Sequence, residues 1–421
     1  MEYFAVQGGV PLEGCVAVHG AKNSALPILA ATLLAPGEHV LHNCPNLTDI
    51  TAALAILSCL GCQVRREGST VVVNTLHRRG CAVPDHLMGQ MRASVLFLGS
   101  LLASSGEAMA CWPGGCALGE RPIDLHLRAL RLLGAQVLDR GGRLSCRCPR
   151  LRGNRIVLPF PSVGATENAM LAACGAQGVT EICNAAQELE IVDLQNFLQA
   201  CGAQISGGGT ERIVVYGGAP LHPGEHSVMP DRIVTATYLC AVAAAGGEGE
   251  LLAAQGGAVA PVLQALTAAG CQIWETERGL AVRRRGALRG IGSVVTAPYP
   301  GFPTDAQPLL AAVLAKAQGE SAITETIFDR RFRYTQQLCR MGAHIRVEGD
   351  TAHFSGAPLH GAAVKATDLR GGAALAIAAL GAQGCSRVYG LEHIDRGYER
   401  LEHALGCLGG RIRRTTYRQN N

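Results

Sequence analysis

A short phrase recurs six times along the 421-residue chain: a glycine, a small residue or cysteine, one polar residue, then Ile or Val. It reads Gly61-Cys-Gln-Val64, Gly134-Ala-Gln-Val137, Gly202-Ala-Gln-Ile205, Gly270-Cys-Gln-Ile273, Gly342-Ala-His-Ile345 and Gly409-Gly-Arg-Ile412, at intervals of 73, 68, 68, 72 and 67 residues. Self-similarity at a near-constant period marks a chain built from one repeated supersecondary unit. Each copy follows an amphipathic helical stretch, such as DLHLRALRLL from Asp124 or DLQNFLQAC from Asp193, and its glycine supplies the left-handed turn that ends the helix. A β-rich run comes next, as in TVVVNT from Thr70 and RIVVYG from Arg212.

Between the copies lies a second kind of helix, apolar on nearly every side: SALPILAATLLA from Ser24, ASVLFLGSLLA from Ala93, NAMLAACGA from Asn168, IVTATYLCAVAAA from Ile233, QPLLAAVLAKA from Gln307 and GGAALAIAALGA from Gly371. A helix without a polar face must be enclosed by protein. Each unit is therefore expected to hold one enclosed helix, one surface helix and several strands, with helices inside and sheet outside. The period is too long for common solenoids. Six units make two pseudo-symmetric halves of three, and the Pro/Gly-rich stretch Pro220–Pro230 is the expected crossover.

Composition fits such a core. Aromatics are 4% and Gly numbers 53, so packing depends on small aliphatic side chains and close helix contacts; 48% hydrophobic against 17% charged residues excludes a largely disordered chain. A net charge of +4 does not point to nucleic acid. The longest apolar runs fall short of the ~20 residues a membrane-spanning helix needs, and MEYFAVQGG lacks the basic-then-apolar layout of an export signal. The 17 Cys are expected to be reduced thiols in a cytoplasm. Cys59 and Cys62 form the one C-x-x-C and have no second pair at zinc-site spacing, so no metal is expected.

The starts of the enclosed helices are polar for the edge of a core: Ala21-Lys-Asn23, Met91-Arg-Ala93, Ser162-Val-Gly164 through Asn168, Pro230-Asp-Arg232, Pro303-Thr-Asp305 and Thr367-Asp-Leu-Arg370. Converging helix N-termini, with free N–H groups and added cations from Lys22, Arg92, Arg232 and Arg370, favour an anion. Two such ends facing each other would form a cleft for a phosphorylated ligand. Taken singly, each residue could be a helix cap. Cys116 lies in Pro113-Gly-Gly-Cys116-Ala-Leu-Gly-Glu120-Arg121-Pro-Ile-Asp124, where a thiol close to Arg121 can be an acid or nucleophile; the alternative is a passive thiol. Asp305 is a candidate general base, its basicity raised by partial burial, or an ordinary N-cap. His393-Ile-Asp395-Arg396 places acid and base together, or is a solvated ion-pair run. Arg283–Arg285 and the tail 411–421 read as solvated surface. No P-loop or HExxH occurs.

These motifs closely resemble, in order and nearly end to end, the UDP-N-acetylglucosamine 1-carboxyvinyltransferase family of enolpyruvyl transferases. The matching segments are Gly20-Ala-Lys-Asn-Ser-Ala-Leu-Pro27, Met91-Arg-Ala-Ser94, Pro113-Gly-Gly-Cys116, Arg121-Pro-Ile-Asp-Leu-His126, Pro161-Ser-Val-Gly-Ala-Thr166, Pro230-Asp-Arg-Ile233, Phe302-Pro-Thr-Asp305, Thr324-Glu-Thr326, Ala366-Thr-Asp-Leu-Arg370 and His393-Ile-Asp-Arg-Gly-Tyr398. The resemblance implies two inside-out α/β barrel domains of three repeats each: 22–229, carrying the Cys116 loop, and 1–21 with 230–421, carrying Asp305 and Arg396. It implies a cytoplasmic enzyme of peptidoglycan synthesis, needed for cell shape and division, and a target of fosfomycin.

The implied roles follow residue by residue. Lys22 and Asn23 hold the phosphate of phosphoenolpyruvate, and Lys22 supports protonation of the enol. Arg92, Arg121 and Arg396 clamp its carboxylate and phosphate. Cys116 is the loop acid, or carries a covalent phospholactoyl adduct, and Asp305 takes the proton of the sugar 3′-hydroxyl. Asn23, Arg92, Arg121, Pro122, Ile123, Asp124, Leu125, Ser162, Val163, Gly164, Asp305 and Ile327 line the UDP-N-acetylglucosamine site, while Arg331, Asp368 and Arg370 support it. Both charges of the donor stay anionic throughout, so fixed cations are needed and a metal or cofactor is not. The partners are the two small-molecule substrates. Phe160 stands where some members carry Lys, Gln187-Glu-Leu-Glu190 departs from a commoner Glu-Pro-Glu, and Glu120 adds a carboxylate beside Arg121. The alternatives are a 3-phosphoshikimate 1-carboxyvinyltransferase, which shares fold and donor without the Pro-Gly-Gly-Cys loop, and a non-catalytic UDP-sugar-binding regulatory paralogue.

Overall fold

The computed structural model describes residues 2–114 and 122–416. It divides into a first unit, residues 20–114 with 122–229, and a second unit, residues 2–19 with 230–416. Each has its own buried apolar core. The chain passes between units after His19 and again after Met229.

Six copies of one motif build the two units. In each, an enclosed helix leads into the central strand of a small sheet. The helices are Lys22–Ala31, Leu96–Ser105, Val163–Cys174, Arg232–Ala245, Gln307–Leu314 and Leu369–Gly381, and the strands that follow them are Glu38–His42, Glu107–Cys111, Gly178–Cys183, Gly247–Leu252, Glu320–Thr324 and Gly384–Tyr389. Five sheets have four strands in a fixed order: an edge strand parallel to the central one, the central strand, then two antiparallel strands. In the sixth, Glu107–Cys111 pairs with Arg143–Arg147 and a single bridge from Ala82 to Met109 takes the place of the edge strand. Burial alternates along strands such as Glu38–His42 and Glu320–Thr324, one face on the helices and the other towards solvent. Helices inside and sheets outside is the arrangement that the all-apolar helices pointed to, and the inside-out α/β fold that the resemblance implied.

The enclosed helices are buried almost all round, as in Arg232–Ala245, where every residue from Arg232 to Ala244 is buried. Small residues allow this crowding. A Cβ at Gly381 would lie 2.7 Å from the Ala244 carbonyl oxygen, so two helix ends meet where only glycine fits. The six repeat glycines, Gly61, Gly134, Gly202, Gly270, Gly342 and Gly409, all turn left-handed, with φ between 84° and 101°. This is the conformation that ends a helix and starts a strand without a Cβ penalty.

Two strands pair far from their neighbours in the chain. Leu12–Ala17 precedes the helix Lys22–Ala31, yet it pairs with Gly247–Leu252, after the helix Arg232–Ala245. Glu225–Ser227 precedes Arg232–Ala245 and pairs with Glu38–His42. The sixth hairpin is likewise completed from the other end of the chain, Arg411–Thr416 pairing with Glu2–Gly8.

In the second unit the three enclosed helices run the same way, and their C-terminal ends meet on one side chain. Lys316, two residues past Gln307–Leu314, donates from Nζ to the carbonyls of Ala244 (2.9 Å) and Gly381. A cation there offsets the negative ends of three helix dipoles. Burial, and then the Arg284 guanidinium, lower the Lys316 pKa from 10.5 to about 8. Between those values the unfolded chain binds more protons than the folded one, so this group's contribution to stability rises with pH across the window. Lys316→Met is expected to lower the free energy of unfolding by about 1–3 kcal/mol at neutral pH, as two helix-end carbonyls lose a donor. Urea titrations from neutral pH to about 10 should show the gap to wild type widening; a gap that narrows would contradict the assignment.

Candidate active site

The first unit presents a cation at the start of its first enclosed helix. Lys22 opens Lys22–Ala31, is buried, and donates from Nζ to Asp49 Oδ2 at 3.0 Å; Asp49 sits in the first turn of the surface helix Thr48–Cys59. A buried ammonium requires such a partner. Asn23 beside it is half-buried. One residue further, the Ser24 hydroxyl donates to Asp193 Oδ2, which also accepts from the Met229 amide at 3.1 Å, while Asp193 Oδ1 lies 2.8 Å from His226 Nε2. Asp193 thus ties the Lys22 helix to the segment leading out of the unit.

Arg92 opens the turn before Leu96–Ser105 and donates from Nη2 to the Pro122 carbonyl at 2.8 Å. Pro122 is exposed, Ile123 buried, and Asp124 and Leu125 begin the surface helix Asp124–Leu132. His126 in the same turn is buried, its Nδ1 3.2 Å from the Asn168 amide nitrogen. Asn168 Oδ1 accepts from the Gly99 amide at 2.9 Å, so one side chain joins two enclosed helices to the 122–126 segment. A Cβ on Gly164 would lie 3.0 Å from the His126 ring, so glycine there lets the ring approach. Ser162 caps Val163–Cys174, its hydroxyl oxygen accepting from the Ala165 amide, and Val163 and Gly164 are half-buried. Phe160 is exposed. Burial, then the carboxylates of Glu190 and Glu188, push Glu167 well above the usual carboxylate range.

In the second unit a carboxylate sits between two buried guanidiniums. Arg331, 1% exposed, donates from Nη2 to Asp305 Oδ1 at 2.7 Å and holds the Thr304 carbonyl with Nε and Nη2 at 3.1 and 2.9 Å. Arg370, 2% exposed, reaches Asp305 Oδ2 at 3.3 Å. Asp368 caps Leu369–Gly381 through the Gly371 amide at 2.9 Å and lies 3.9 Å from Arg331 Nη1. Burial works against the charge on Arg370, but Tyr398, Asp305 and Asp231 together outweigh it and hold the group above its ordinary value. Glu325 accepts from the Thr304 hydroxyl at 3.0 Å and from the Ile327 and Phe328 amides at 2.9 and 3.2 Å, which places Ile327 on the same cluster. Arg396 is half-buried on the turn after Leu391–Ile394. Tyr398, two residues on, lies under Arg370, whose guanidinium carbon is 5.3 Å from the ring centre.

Asp305, Ile327, Arg331, Asp368 and Arg370 are therefore brought together, and so are Arg92 and the segment from Pro122 to Leu125. Cys116, Arg121 and Glu120 lie outside the described residues. Two expectations need correction. Asp305 is not the N-cap of its helix, a place taken by Ala306, and its two oxygens are instead paired with the guanidiniums of Arg331 and Arg370. Nor do all six helix starts offer free N–H groups, because Ser162, Asp231 and Asp368 already accept from their own first turns. Asp49, Asp193, Asn168 and Glu325 were not singled out as functional; acidic or amide residues in buried positions were the available signal. Among the described residues, no group of three or more His, Cys, Asp or Glu is placed to hold a metal ion, and no helix is long and apolar enough to cross a membrane.

Arg331→Met should lower stability by about 2–4 kcal/mol, less than the full loss of a wholly enclosed pair because Asp305 is partly exposed. Arg331→Lys should recover only part, having no fork to hold Thr304 and Asp305 together. Equal denaturation midpoints for Lys and wild type would show that the fork geometry is dispensable.

The family described as EPSP synthase (3-phosphoshikimate 1-carboxyvinyltransferase) matches residues 6–405. A protein of Caldanaerobacter subterraneus named UDP-N-acetylglucosamine 1-carboxyvinyltransferase 2 is 49% identical, covering 98% of this chain and 99% of its own. One from Gluconacetobacter diazotrophicus named UDP-N-acetylglucosamine 1-carboxyvinyltransferase is 46% identical at the same coverage. Among solved structures, the enolpyruvyl transferase NikO from Streptomyces tendae superposes with a TM-score of 0.89 at 26% identity, covering 99% of both chains. An EPSP synthase from Acinetobacter baumannii shares the fold at a TM-score of 0.79 and 19% identity, covering 99% of this chain and all of its own. Repeat architecture, buried charge clusters and full-length similarity agree, and this chain belongs to the EPSP synthase family of enolpyruvyl transferases, alongside relatives named UDP-N-acetylglucosamine 1-carboxyvinyltransferase.

Proposed function

We propose that this chain transfers the enolpyruvyl group of phosphoenolpyruvate to the 3′-hydroxyl of UDP-N-acetylglucosamine, releasing phosphate, as the first committed step of peptidoglycan synthesis. The observation that carries this reading is 49% identity, over 98% of the chain, to a relative bearing that activity's name. The enzyme acts in the cytoplasm, where thiols stay reduced.

The chemistry accounts for the residue types. C2 of phosphoenolpyruvate becomes electrophilic once its methylene C3 gains a proton, the task of Cys116 with Lys22 supporting the charge. Asp305 accepts the 3′-hydroxyl proton as that oxygen bonds to C2. The resulting ketal loses a C3 proton and its C2–O bond to phosphate breaks, leaving the enol ether and inorganic phosphate. Lys22 with Asn23, and Arg92, Arg121 and Arg396, hold the donor's two anionic groups, as fixed cations do best. Arg331 and Arg370 grip both oxygens of Asp305 and so aim it; Asp368 steadies Arg331. Asn23, Arg92, the segment 121–125, Ser162, Val163, Gly164 and Ile327 receive the nucleotide sugar. Closure over the donor excludes water that could trap the cationic intermediate.

Phosphate release with phosphoenolpyruvate and UDP-N-acetylglucosamine is the direct test. Release with shikimate 3-phosphate instead would assign the sister activity, and release with neither would favour a binding protein. Asp305→Asn keeps shape and loses the base, so kcat should fall roughly 10²–10⁴-fold while both substrates still bind. Cys116→Asp should retain turnover and resist fosfomycin, whereas Cys116→Ser should lose turnover. Wild type should gain one fosfomycin adduct by intact mass, and inactivation without an adduct would count against alkylation of Cys116, while full activity in Cys116→Ser would undo its assigned role.

A further inference from the structure

The basic tail reads as solvated surface, yet one of its arginines is only 26% exposed and is gripped by acidic neighbours. Arg414, in the strand Arg411–Thr416, donates from Nη1 to Asp395 Oδ2 at 3.0 Å and from Nη2 to Asp395 Oδ1 at 2.5 Å, a two-pronged grip on one carboxylate. Its Nη1 also reaches Glu2 Oε2 at 3.0 Å, its Nε lies 3.6 Å from Glu402 Oε1, and its guanidinium carbon is 5.4 Å from the Phe4 ring centre. Three carboxylates and an aromatic face from three segments leave this guanidinium little freedom to turn.

The carboxylate so gripped belongs to the residue immediately before Arg396. On the other side of Arg396, Gly397 lies against Leu369, where a Cβ would come within 2.7 Å of a Leu369 methyl. Tyr398 is buried and its hydroxyl is 2.8 Å from that of Thr237. The turn 395–398 is therefore clamped at both ends, by Arg414 at Asp395 and by the enclosed helices at Gly397 and Tyr398. The Asp395 clamp is a two-pronged ion pair, whereas Tyr398 is held by a single hydroxyl bond and by the Arg370 guanidinium over its ring.

We propose that Arg414 and Asp395 are positioning residues for Arg396, setting the direction from which its guanidinium meets the anionic donor. The proposal rests on the reading of Arg396 as an anchor for phosphoenolpyruvate. A bidentate pair fixes the Asp395 side chain in plane as well as in distance, and lysine, a point charge, cannot.

Steady-state kinetics on the full-length enzyme test this. Arg414→Gln and Asp395→Asn should each raise KM for phosphoenolpyruvate roughly ten- to hundredfold, the scale on which a misplacement near 1 Å acts. KM for UDP-N-acetylglucosamine and kcat per folded molecule should stay within about twofold, a split that general loosening of the fold does not produce. Arg414→Lys should show the same split in weaker form, and it serves if the Gln variant folds poorly. Arg411→Gln, on the same strand but paired only to Gln7 among the described contacts, is the control and should match wild type. Adding Arg414→Gln to Arg396→Ala should give no further rise in KM, because the first residue acts through the second. If Arg396→Ala raises KM for the donor while Arg414→Gln and Asp395→Asn leave it unchanged, or if the double variant is additive, the positioning role is overturned. If Arg396→Ala itself leaves that KM unchanged, the anchor reading falls and takes this inference with it.

Discussion

Three apolar helices running in the same direction through one core set the terms for the second unit. Their dipoles reinforce each other, leaving partial positive charge at one end and partial negative charge at the other. The negative end is met by the Lys316 ammonium. The positive end gathers Asp231, Asp305 and Asp368, and two of these cap their helices outright. Those carboxylates in turn draw in Arg331 and Arg370. A carboxylate held between two guanidiniums is thus an outgrowth of the charge balance that lets such helices lie side by side. The first unit meets a related demand differently, placing Lys22 against Asp49 and Ser24 against Asp193 at the start of its own first helix.

Small residues make the arrangement possible and restrict what else the core can be. Glycine at 381 and alanine through Leu369–Gly381 let helix backbones approach within contact of one another. A core of large rings would hold the helices apart and leave the Lys316 ammonium too far from the carbonyls it serves. The polar bonds that cross these cores, such as Asn168 to Gly99, therefore act over short reach, and a buried amide in that setting is fully partnered or costly. Fold retention at 19–26% identity in the solved relatives fits a structure governed by residue size and helix polarity more than by particular side chains.

How much of this was legible depended on whether the signal was periodic. The six Gly-x-x-Ile/Val phrases and the six all-apolar helices repeat along the chain, so helix inside and sheet outside could be read directly. Asp305 and Arg370 stood out at polar helix starts and Arg331 could be named through resemblance, but the pairing of both Asp305 oxygens is a product of the fold. Contacts between distant residues leave no trace in spacing: Ser24 with Asp193, Lys22 with Asp49 and Arg414 with Glu2 are of this kind. Arg414 was misread because an arginine in a basic run looks solvated until strand pairing brings acidic neighbours to it. Free N–H groups were expected at every helix start because a cap and an anion site have the same sequence signature; only the side-chain direction of Ser162, Asp231 and Asp368 separates them.

The exchanged strands carry a consequence for biogenesis. Synthesis makes Leu12–Ala17 long before its ladder partner Gly247–Leu252, and Glu2–Gly8 long before Gly384–Tyr389 and Arg411–Thr416, which flank it. The first unit has all its strands once Glu225–Ser227 has been made, so it can close while the leading segment still waits. That segment therefore waits with its ladder edges unpaired, and the exposed charge of Glu13 within Leu12–Ala17 works against a wrong pairing in the meantime.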